Sequence, residues 1–439
     1  MAALASVEHL DATRLQTELD TAFALVAGRF KRPEVRRRAR ACIQGMLSGL
    51  ERKNGWTLAE YAGETTPDGM QRLFNTARWD VDGVRDDIRT YLMQHLGQTD
   101  AVLVGDDTGF AKQGDCSAGV QRQYTGTLGK VANCQIGVFL GYASSRGRAL
   151  LDRELYLPQD SWIASPERCA AAKIPAQTGF ATKPQLLQAM IERTLAAGVP
   201  FGWVTADEAY GDNGPLRHFL EERQIGYVLA VSRAHQISTG AGKVRADVMA
   251  ARVPRSGWQR LSCGAGAKGE RRYDWALIAT SSPAHRLLIR RSLDSPSELA
   301  FYLCHTPKPV PLQRLIRVAG ARWTIEECFQ TGKNEAAFDH YQVRLYPAWY
   351  RYITLAMLAL AFLAVTRATF NADPDLGPLD STGSCLLVAI SANEIRRLFA
   401  LLTRPPIDEG LILHWSHWRR RHQARSRQSH YRRRSLRNR

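Results

Sequence analysis

Three acidic residues, far apart in the chain, have the types and settings of ligands to divalent cations. Asp107 follows a short apolar run, Ala101-Val102-Leu103-Val104-Gly105, and Asp207 ends another, Phe201-Gly202-Trp203-Val204-Thr205-Ala206. Glu326 lies in Arg322-Trp323-Thr324-Ile325-Glu326-Glu327, with Lys333 two helical turns further on. Two carboxylates at strand ends and a third on a late helix can hold a pair of metal ions. Such a pair activates water or a 3′-hydroxyl against a phosphodiester.

Each position alone has a plainer reading. Asp106-Asp107-Thr108-Gly109 is turn chemistry, because an Asp side chain bonds nearby amides. Adjacent strand residues point to opposite faces, so alternation decides whether Asp106 or Asp107 meets a metal. Asp207 is also a helix-capping residue after a strand, and Glu208 and Asp212 sit off the strand end. The carboxyl end of a strand is nevertheless where open α/β sheets place ligands. Arg322, Glu326 and Lys333 stand at i, i+4 and i+11, within about 40° of one another at 3.6 residues per turn, and Phe329 completes that stripe. The plain alternative is a surface helix with an Arg–Glu pair worth a few tenths of a kcal/mol, with Glu327 solvated.

The elements that must position these groups follow from the hydrophobic period. Helices are expected up to about Gly97. Pro33-Glu34 opens one that carries Arg36, Arg37, Arg38 and Arg40 on one side. A short helix from Trp56 to Ala62 and a second one with Thr66 as N-cap and Met70, Leu73, Phe74 and Ala77 as apolar face resemble a helix-turn-helix, although a plain bundle explains them as well. From Ala101 the period changes. Apolar runs at 101–105, 131–142 and 149–157 read as strands, then a helix Thr182–Ala197, a strand 201–206, a helix near Pro215–Arg223 and a strand Tyr227–Ser232. That order is the one of an RNase H-like mixed sheet. Residues 233–310 read as a mainly β insertion with strands near Trp275–Ala279, Leu287–Arg291 and Leu299–His305, after which helices resume at Leu312–Gly320, Thr324–Ala337 and Trp349–Thr366.

The expected class is therefore α/β, with an RNase H-like mixed-sheet catalytic core and an inserted mainly-β subdomain. The expected divisions are an N-terminal helical DNA-binding domain (1–97), the first part of the core (98–232), the insertion (233–310), the helical part of the core with the third acid (311–370), a helical region (371–418) and an Arg-rich tail (419–439).

Composition narrows the partner. The 439 residues carry 59 Lys+Arg against 42 Asp+Glu, a formal charge of +17, and an excess of that size implies a polyanion. Ten of those basic residues are arginines between Arg419 and Arg439, a stretch without an acid, so the rest of the chain carries only +7. This end is expected to be disordered when free. The eight cysteines are scattered without a CxxC pair, which suggests neither a zinc site nor a disulfide framework. Glu8 and Asp11 stand where a signal peptide needs basic and then apolar residues. The run Ile353–Val365 is short of the ~20 residues of a membrane span. A cytoplasmic protein associated with a bacterial nucleoid is the expected setting.

Three blocks resemble the DDE-type insertion-sequence transposases, specifically the insertion sequence 701 family. They are Val104-Gly105-Asp106-Asp107-Thr108-Gly109-Phe110, Val204-Thr205-Ala206-Asp207-Glu208-Ala209-Tyr210-Gly211, and Arg322-Trp323-Thr324-Ile325-Glu326-Glu327-Cys328-Phe329 continued to Lys333. Gln71 to Asp80, ending Thr76-Ala77-Arg78-Trp79-Asp80, resembles the helical block before the catalytic core of these proteins. The resemblance favours Asp107 as the first acid and implies that Asp107, Asp207 and Glu326 hold two Mg²⁺ ions, with Mn²⁺ substituting. It implies double-stranded DNA as partner, at terminal inverted repeats and at a target, and a homodimer in the synaptic complex. Arg322 and Lys333 match by spacing the signature Tyr-x-x-Arg-x-x-x-Glu-x-x-x-x-x-x-Lys, whose basic residues contact phosphates; Ala319 replaces its tyrosine. Arg36, Arg37, Arg419, Arg420, Arg421, Arg432, Arg433 and Arg434 are further candidate DNA contacts. Relatives that cut through a hairpin hold a flipped base on an aromatic of the insertion, for which Trp275, Phe301 and Tyr302 are candidates. The function so implied is end binding, strand cleavage and strand transfer. Its rivals are a transposase-derived DNA-binding regulator without catalysis and an RNase H-fold nuclease that cleaves without joining.

Overall fold

The computed structural model describes residues 11–266, 269–371, 389–406 and 408–437. Glu8, Cys385, most of the link before residue 389 and the last two residues of the tail lie outside them.

Five helices open the chain: α1 (Ala12–Ala27), α2 (Pro33–Leu47), α3 (Gly55–Tyr61), α4 (Asp68–Asn75) and α5 (Val81–Leu96). Their starts follow from local chemistry. Asp11 caps α1 through the amide of Arg14, Pro33 stands in the first turn of α2, and Asp80 caps α5 through the amide of Gly83. Asn54 and Thr57 close a reciprocal capping box on α3. The expected cap of α4 shifts by one residue: Pro67 is the N-cap, and the Thr66 hydroxyl donates to Asp68 instead, at 3.2 Å.

The sheet strands are β1 (Val102–Ala111), β2 (Gln121–Thr125), β3 (Lys130–Ala143), β4 (Arg148–Leu155), β5 (Trp203–Ala206) and β6 (Gly226–Val231). Between them lie α6 (Pro166–Ala171), α7 (Lys183–Ala196), α8 (Glu208–Gly211) and α9 (Gly214–Glu222). The strands run in the order β4-β3-β1-β5-β6, with β1, β5 and β6 parallel and β3 antiparallel to β1. This is the arrangement of an RNase H-like sheet. β2, a strand that no apolar run announces, pairs with the first part of β3.

One difference bears on the site. Asp106 to Gly109 form part of β1 rather than a turn after it, because the 14-residue β3 supplies partners along the whole length, Asp106 opposite Phe139 and Asp107 opposite Val138. The parallel neighbour β5 stops at Ala206, opposite Gly105. β1 therefore overhangs β5 by several residues, with one edge open where Asp207 follows.

After β6 come a hairpin, β7 (Gln236–Thr239) and β8 (Gly242–Arg245), then α10 (Ala246–Ala251), β9 (Gln259–Gly266), β10 (Gly269–Ala279), β11 (His285–Arg291) and β12 (Leu299–His305). The inserted β region does not stand apart. β12 pairs antiparallel with β6, and β11, β10 and β9 continue outward, so one ten-stranded sheet crosses the molecule.

The chain returns through α11 (Leu312–Ala321), α12 (Trp323–Glu335), α13 (Tyr346–Asn371), α14 (Ala392–Leu402) and α15 (Glu409–Arg437). α13 is long and apolar enough to cross a membrane by length and composition, but 72% of its apolar window is buried inside the molecule. A helix apolar all round is expected in a core, and α13 lies between α2, α4 and α5 on one side and β4, α12 and α14 on others. The Arg-rich end differs from expectation: it is helical to Arg437. Arginine is a good helix former, and the base of α15 is fixed. Trp415 is fully buried and donates to the Glu64 carbonyl at 2.8 Å, and Arg419 pairs with Glu60.

Gly211 closes α8 four residues after Asp207, and a Cβ there would collide with the Ala230 carbonyl of β6. Backbone cannot yield as a side-chain tip can. Gly211→Ala is expected to cost about 1–3 kcal/mol or more, read from urea unfolding; a neutral result would mean that α8 is free to move off the sheet.

Candidate active site

Side-chain alternation along β1 divides its two aspartates. Gly105 backs onto Leu187 of α7, and Gly141, the partner of Val104, backs onto Ile325 of α12. Asp107 shares the α7 face with Gly105. There Lys183 Nζ lies 3.0 Å from both of its carboxylate oxygens, and the Tyr210 hydroxyl donates at 3.3 Å. Asp106 shares the α12 face with Val104 and Thr108. Arg322 Nη1 lies 3.7 Å from Asp106 Oδ2 and 3.8 Å from Glu326 Oε1, between the two carboxylates. Asp207 follows β5 beyond the register that pairs Gly105 with Ala206, and it caps α8 by accepting from the Ala209 amide at 2.9 Å.

The α12 stripe faces the sheet as its spacing predicts. Phe329 is buried against Phe139, with ring centroids 5.5 Å apart. Lys333 Nζ donates to Thr108 Oγ1 at 2.8 Å and to Thr127 Oγ1 at 3.2 Å. Arg322 stands at the junction of α11 and α12 rather than inside one helix. Glu327 is not simply solvated: it pairs with Arg148 at 2.7 Å.

The carboxylates repel one another. Burial, with Asp207 and Asp107 nearby, pushes Asp106 up to about 8, against the pull of Arg322. Burial and then Asp107 raise Asp207 as well, and burial, reinforced by Asp107, holds Tyr210 in its protonated form. Crowded hard oxygens with unrelieved negative charge are a chemical fit to a divalent cation. The spacing is less ready. Among the described residues no three His, Cys, Asp or Glu side chains are close enough to hold one ion, the Glu326 side chain is 46% exposed, and Lys183 and Arg322 occupy the carboxylates in the manner of counter-ions.

The remaining predicted contacts lie elsewhere. Arg36 and Arg37 are exposed on α2, where Arg36 donates to the Phe30 carbonyl. Arg420, Arg421, Arg432, Arg433 and Arg434 are exposed along α15, while Arg419 is held by Glu60. The aromatics expected to hold a flipped base are packed instead. Trp275, Phe301 and Tyr302 are buried in the extended sheet, with Trp275 Nε1 donating to the Leu261 carbonyl; Phe301 and Tyr302 point to opposite faces of β12, so the sheet is covered on both sides there. Trp323, which follows Arg322 in the chain, is an exposed aromatic, 51% accessible. Lys183 is a site residue that the sequence motifs do not mark. Its signal is the capping pattern Thr182-Lys183-Pro184-Gln185, which places a cation in the first turn of a helix packed on β1.

Comparison with known proteins bears on this geometry. The family described as DDE superfamily endonuclease matches residues 26–282. The chain belongs to that family. The matched span includes Asp107 and Asp207 of this DDE superfamily member and ends before Glu326. A relative from Microchaete diplosiphon, described as "Probable transposase for insertion sequence element IS701", is 28% identical over 199 residues, 44% of this chain and 48% of that protein. The match thus spans about half of the relative's length. The DDE class read from the sequence blocks is the one the family model returns, over a span that holds the first two blocks; the insertion sequence 701 protein is a relative that this chain is similar to. A solved piggyBac transposase synaptic complex with hairpin DNA aligns with a TM-score of 0.48 at 10% identity, covering 93% of this chain and 85% of that one.

Proposed function

We propose that this DDE superfamily protein is a DNA transposase that binds the ends of its mobile element and catalyses metal-dependent strand cleavage and strand transfer. The observation that carries the reading is the meeting of the β1 aspartates, the β5-end Asp207 and the Arg322–Glu326 turn of α12 on the overhang of β1. Asp107, Asp207 and Glu326 would hold two Mg²⁺ ions, or Mn²⁺, which supply Lewis acidity and a lowered pKa to an attacking water or 3′-hydroxyl. Lys183 and Arg322 then exchange a carboxylate for a phosphate oxygen, and Lys333 approaches from the Thr108 side. The phosphodiester belongs to double-stranded DNA, at terminal inverted repeats and then at a target, with two copies of the chain in the synapse.

A second assignment of the first ligand has its own support: Asp106, not Asp107, shares the α12 face with Arg322. Asp106→Asn and Asp107→Asn separate the two, since the ligand's loss abolishes cleavage while DNA binding persists.

The reading is tested with duplexes carrying the DNA that flanks the gene, incubated with the protein and Mg²⁺. Cleavage to a free 3′-hydroxyl followed by joined products supports it. Cleavage without joining returns the nuclease alternative, and binding without metal-dependent cleavage returns the regulator.

The exposed arginines of α15 are expected to add non-specific affinity through counterion release. Deletion of residues 420–439 should flatten the dependence of log K on log salt by roughly 0.9 for each phosphate that these arginines neutralise. An unchanged slope would leave these residues as a solvated helix.

A further inference from the structure

A wide cleft lies away from the carboxylates. It has a volume of about 1130 Å³ and lies where the α1–α2 loop, α4 and the α4–α5 connection meet. Its walls carry seven Lys and Arg side chains against two acids, Glu34 and Asp80. Small-molecule sites run to about 300–1,000 Å³ and are lined mostly by apolar side chains; this cleft is larger and rich in cations.

The cations fall into two sets. Arg29 is committed to Asp87 at 2.7 Å and Asp80 at 3.2 Å, Arg38 to Glu64, and Arg32 to Glu34 at 4.0 Å. Arg351 reaches the Phe74 carbonyl at 2.9 Å with its Nη1, while its buried Nε has no hydrogen-bond partner. Lys31, Arg72 and Arg78 are exposed and have no ion-pair partner among the described residues. Paired arginines thus build the floor, and three uncommitted charges line the opening. The connection is rigid: Trp79 is buried, donates to the Leu73 carbonyl at 3.1 Å and packs on Phe30, and Asp80 caps α5. Arg78 is therefore presented from a fixed backbone. The same wall seats the cationic C-terminal helix, since Glu64 accepts from Arg38 through its side chain and from Trp415 through its carbonyl.

We infer that this cleft is a binding site for the sugar-phosphate backbone of duplex DNA, with Lys31, Arg72 and Arg78 as its phosphate contacts. The choice of DNA as the polyanion rests on the proposed function; the cationic cleft does not. Contacts of this kind position a duplex without reading its sequence, so the cleft would hold DNA at a distance from the carboxylates and fix its angle of approach. Of the basic residues on α2, Arg38 lines the cleft, held by Glu64, and Arg36 and Arg37 do not line it.

The test uses the full chain and fluorescein-labelled duplex DNA of mixed sequence, in EDTA, by anisotropy over a salt series. Arg72→Ala/Arg78→Ala is expected to weaken binding on the order of 10-fold and to lower the salt slope by about 2, one for each phosphate contact. Lys31→Ala supplies a second variant on the opposite wall. Urea midpoints are expected to stay unchanged, because these side chains are exposed. Unaltered affinity and slope with intact folding would overturn the inference. So would a change in the sedimentation of the protein alone without loss of DNA binding, which would make the cleft a contact for an acidic surface of a second copy. Because binding is read without metal, the cleft can fail while cleavage persists, or hold while cleavage fails.

Discussion

Asp207→Asn is expected to lower the rate of Mg²⁺-dependent DNA cleavage by about 10³-fold or more while the protein still folds and binds DNA. A metal ligand contributes several kcal/mol to the charge that develops in phosphoryl transfer, and each 1.36 kcal/mol is about tenfold in rate. The variant separates chemistry from folding because Asp207 has a second role. Its side chain caps α8 through the Ala209 amide, and Asn caps a helix about as well as Asp. It also relieves repulsion, since burial and then Asp107 raise the Asp207 pKa in the wild type. The urea midpoint should therefore hold or rise slightly. EDTA should abolish cleavage in the wild type, and Mg²⁺ or Mn²⁺ should restore it. A variant that nicks its substrate at the wild-type rate in Mg²⁺ would remove Asp207 from the site.

The second large effect is on stability. Asp152 of β4 is fully buried and accepts from Arg193 Nε at 2.8 Å and from the Arg153 amide at 2.8 Å. Arg153 is itself buried and donates to Thr354 of α13 at 3.0 Å and to Asp82 of α5 at 3.1 Å. Arg193 also reaches Glu154, to which Tyr350 donates. This network joins the sheet edge to α5, α7 and α13. Asp152→Ala strips a charge from partners that remain in place, and breaking one side of a buried pair costs about 3–5 kcal/mol. Equilibrium urea unfolding is the measurement, and a loss below about 1 kcal/mol would show that water replaces the carboxylate. Combining Asp152→Leu with Arg193→Met is expected to recover part of the loss, because apolar replacements avoid desolvating charge.

The elements around the site are legible in the sequence because their signals are local. Thr182 and Gln185 form a reciprocal box at the start of α7, the apolar run of β5 is buried at all four positions, and the α12 stripe turns Phe329 and Lys333 to the sheet. What the sequence hides depends on partners distant along the chain. The extension of β1 through Asp107 needs the length of β3, and no pattern within 101–109 announces it. The union of β9–β12 with the core sheet rests on the pairing of β12 with β6, Phe301 opposite Val231, across the whole of the intervening insertion. Such a register is set by the faces that two strands bury together, not by either strand alone. A lysine in a first helical turn has no signature of its own, so Lys183 matters only once β1 is laid beneath it. The helix at the Arg-rich end depends on Trp415 being seated against the α3–α4 turn.

The position of α13 has a consequence for any attempt to take this protein apart. Its sides are shared between the opening bundle and the sheet, so neither half owns a complete interior. A fragment ending near Gly97 would leave Leu92, Ile88 and Met46 without the cover they have in the whole chain, and would aggregate rather than act as a detached DNA-binding module. Heat or denaturant should dissolve both halves in one step, and limited proteolysis should find no cut that liberates a stable piece at that boundary.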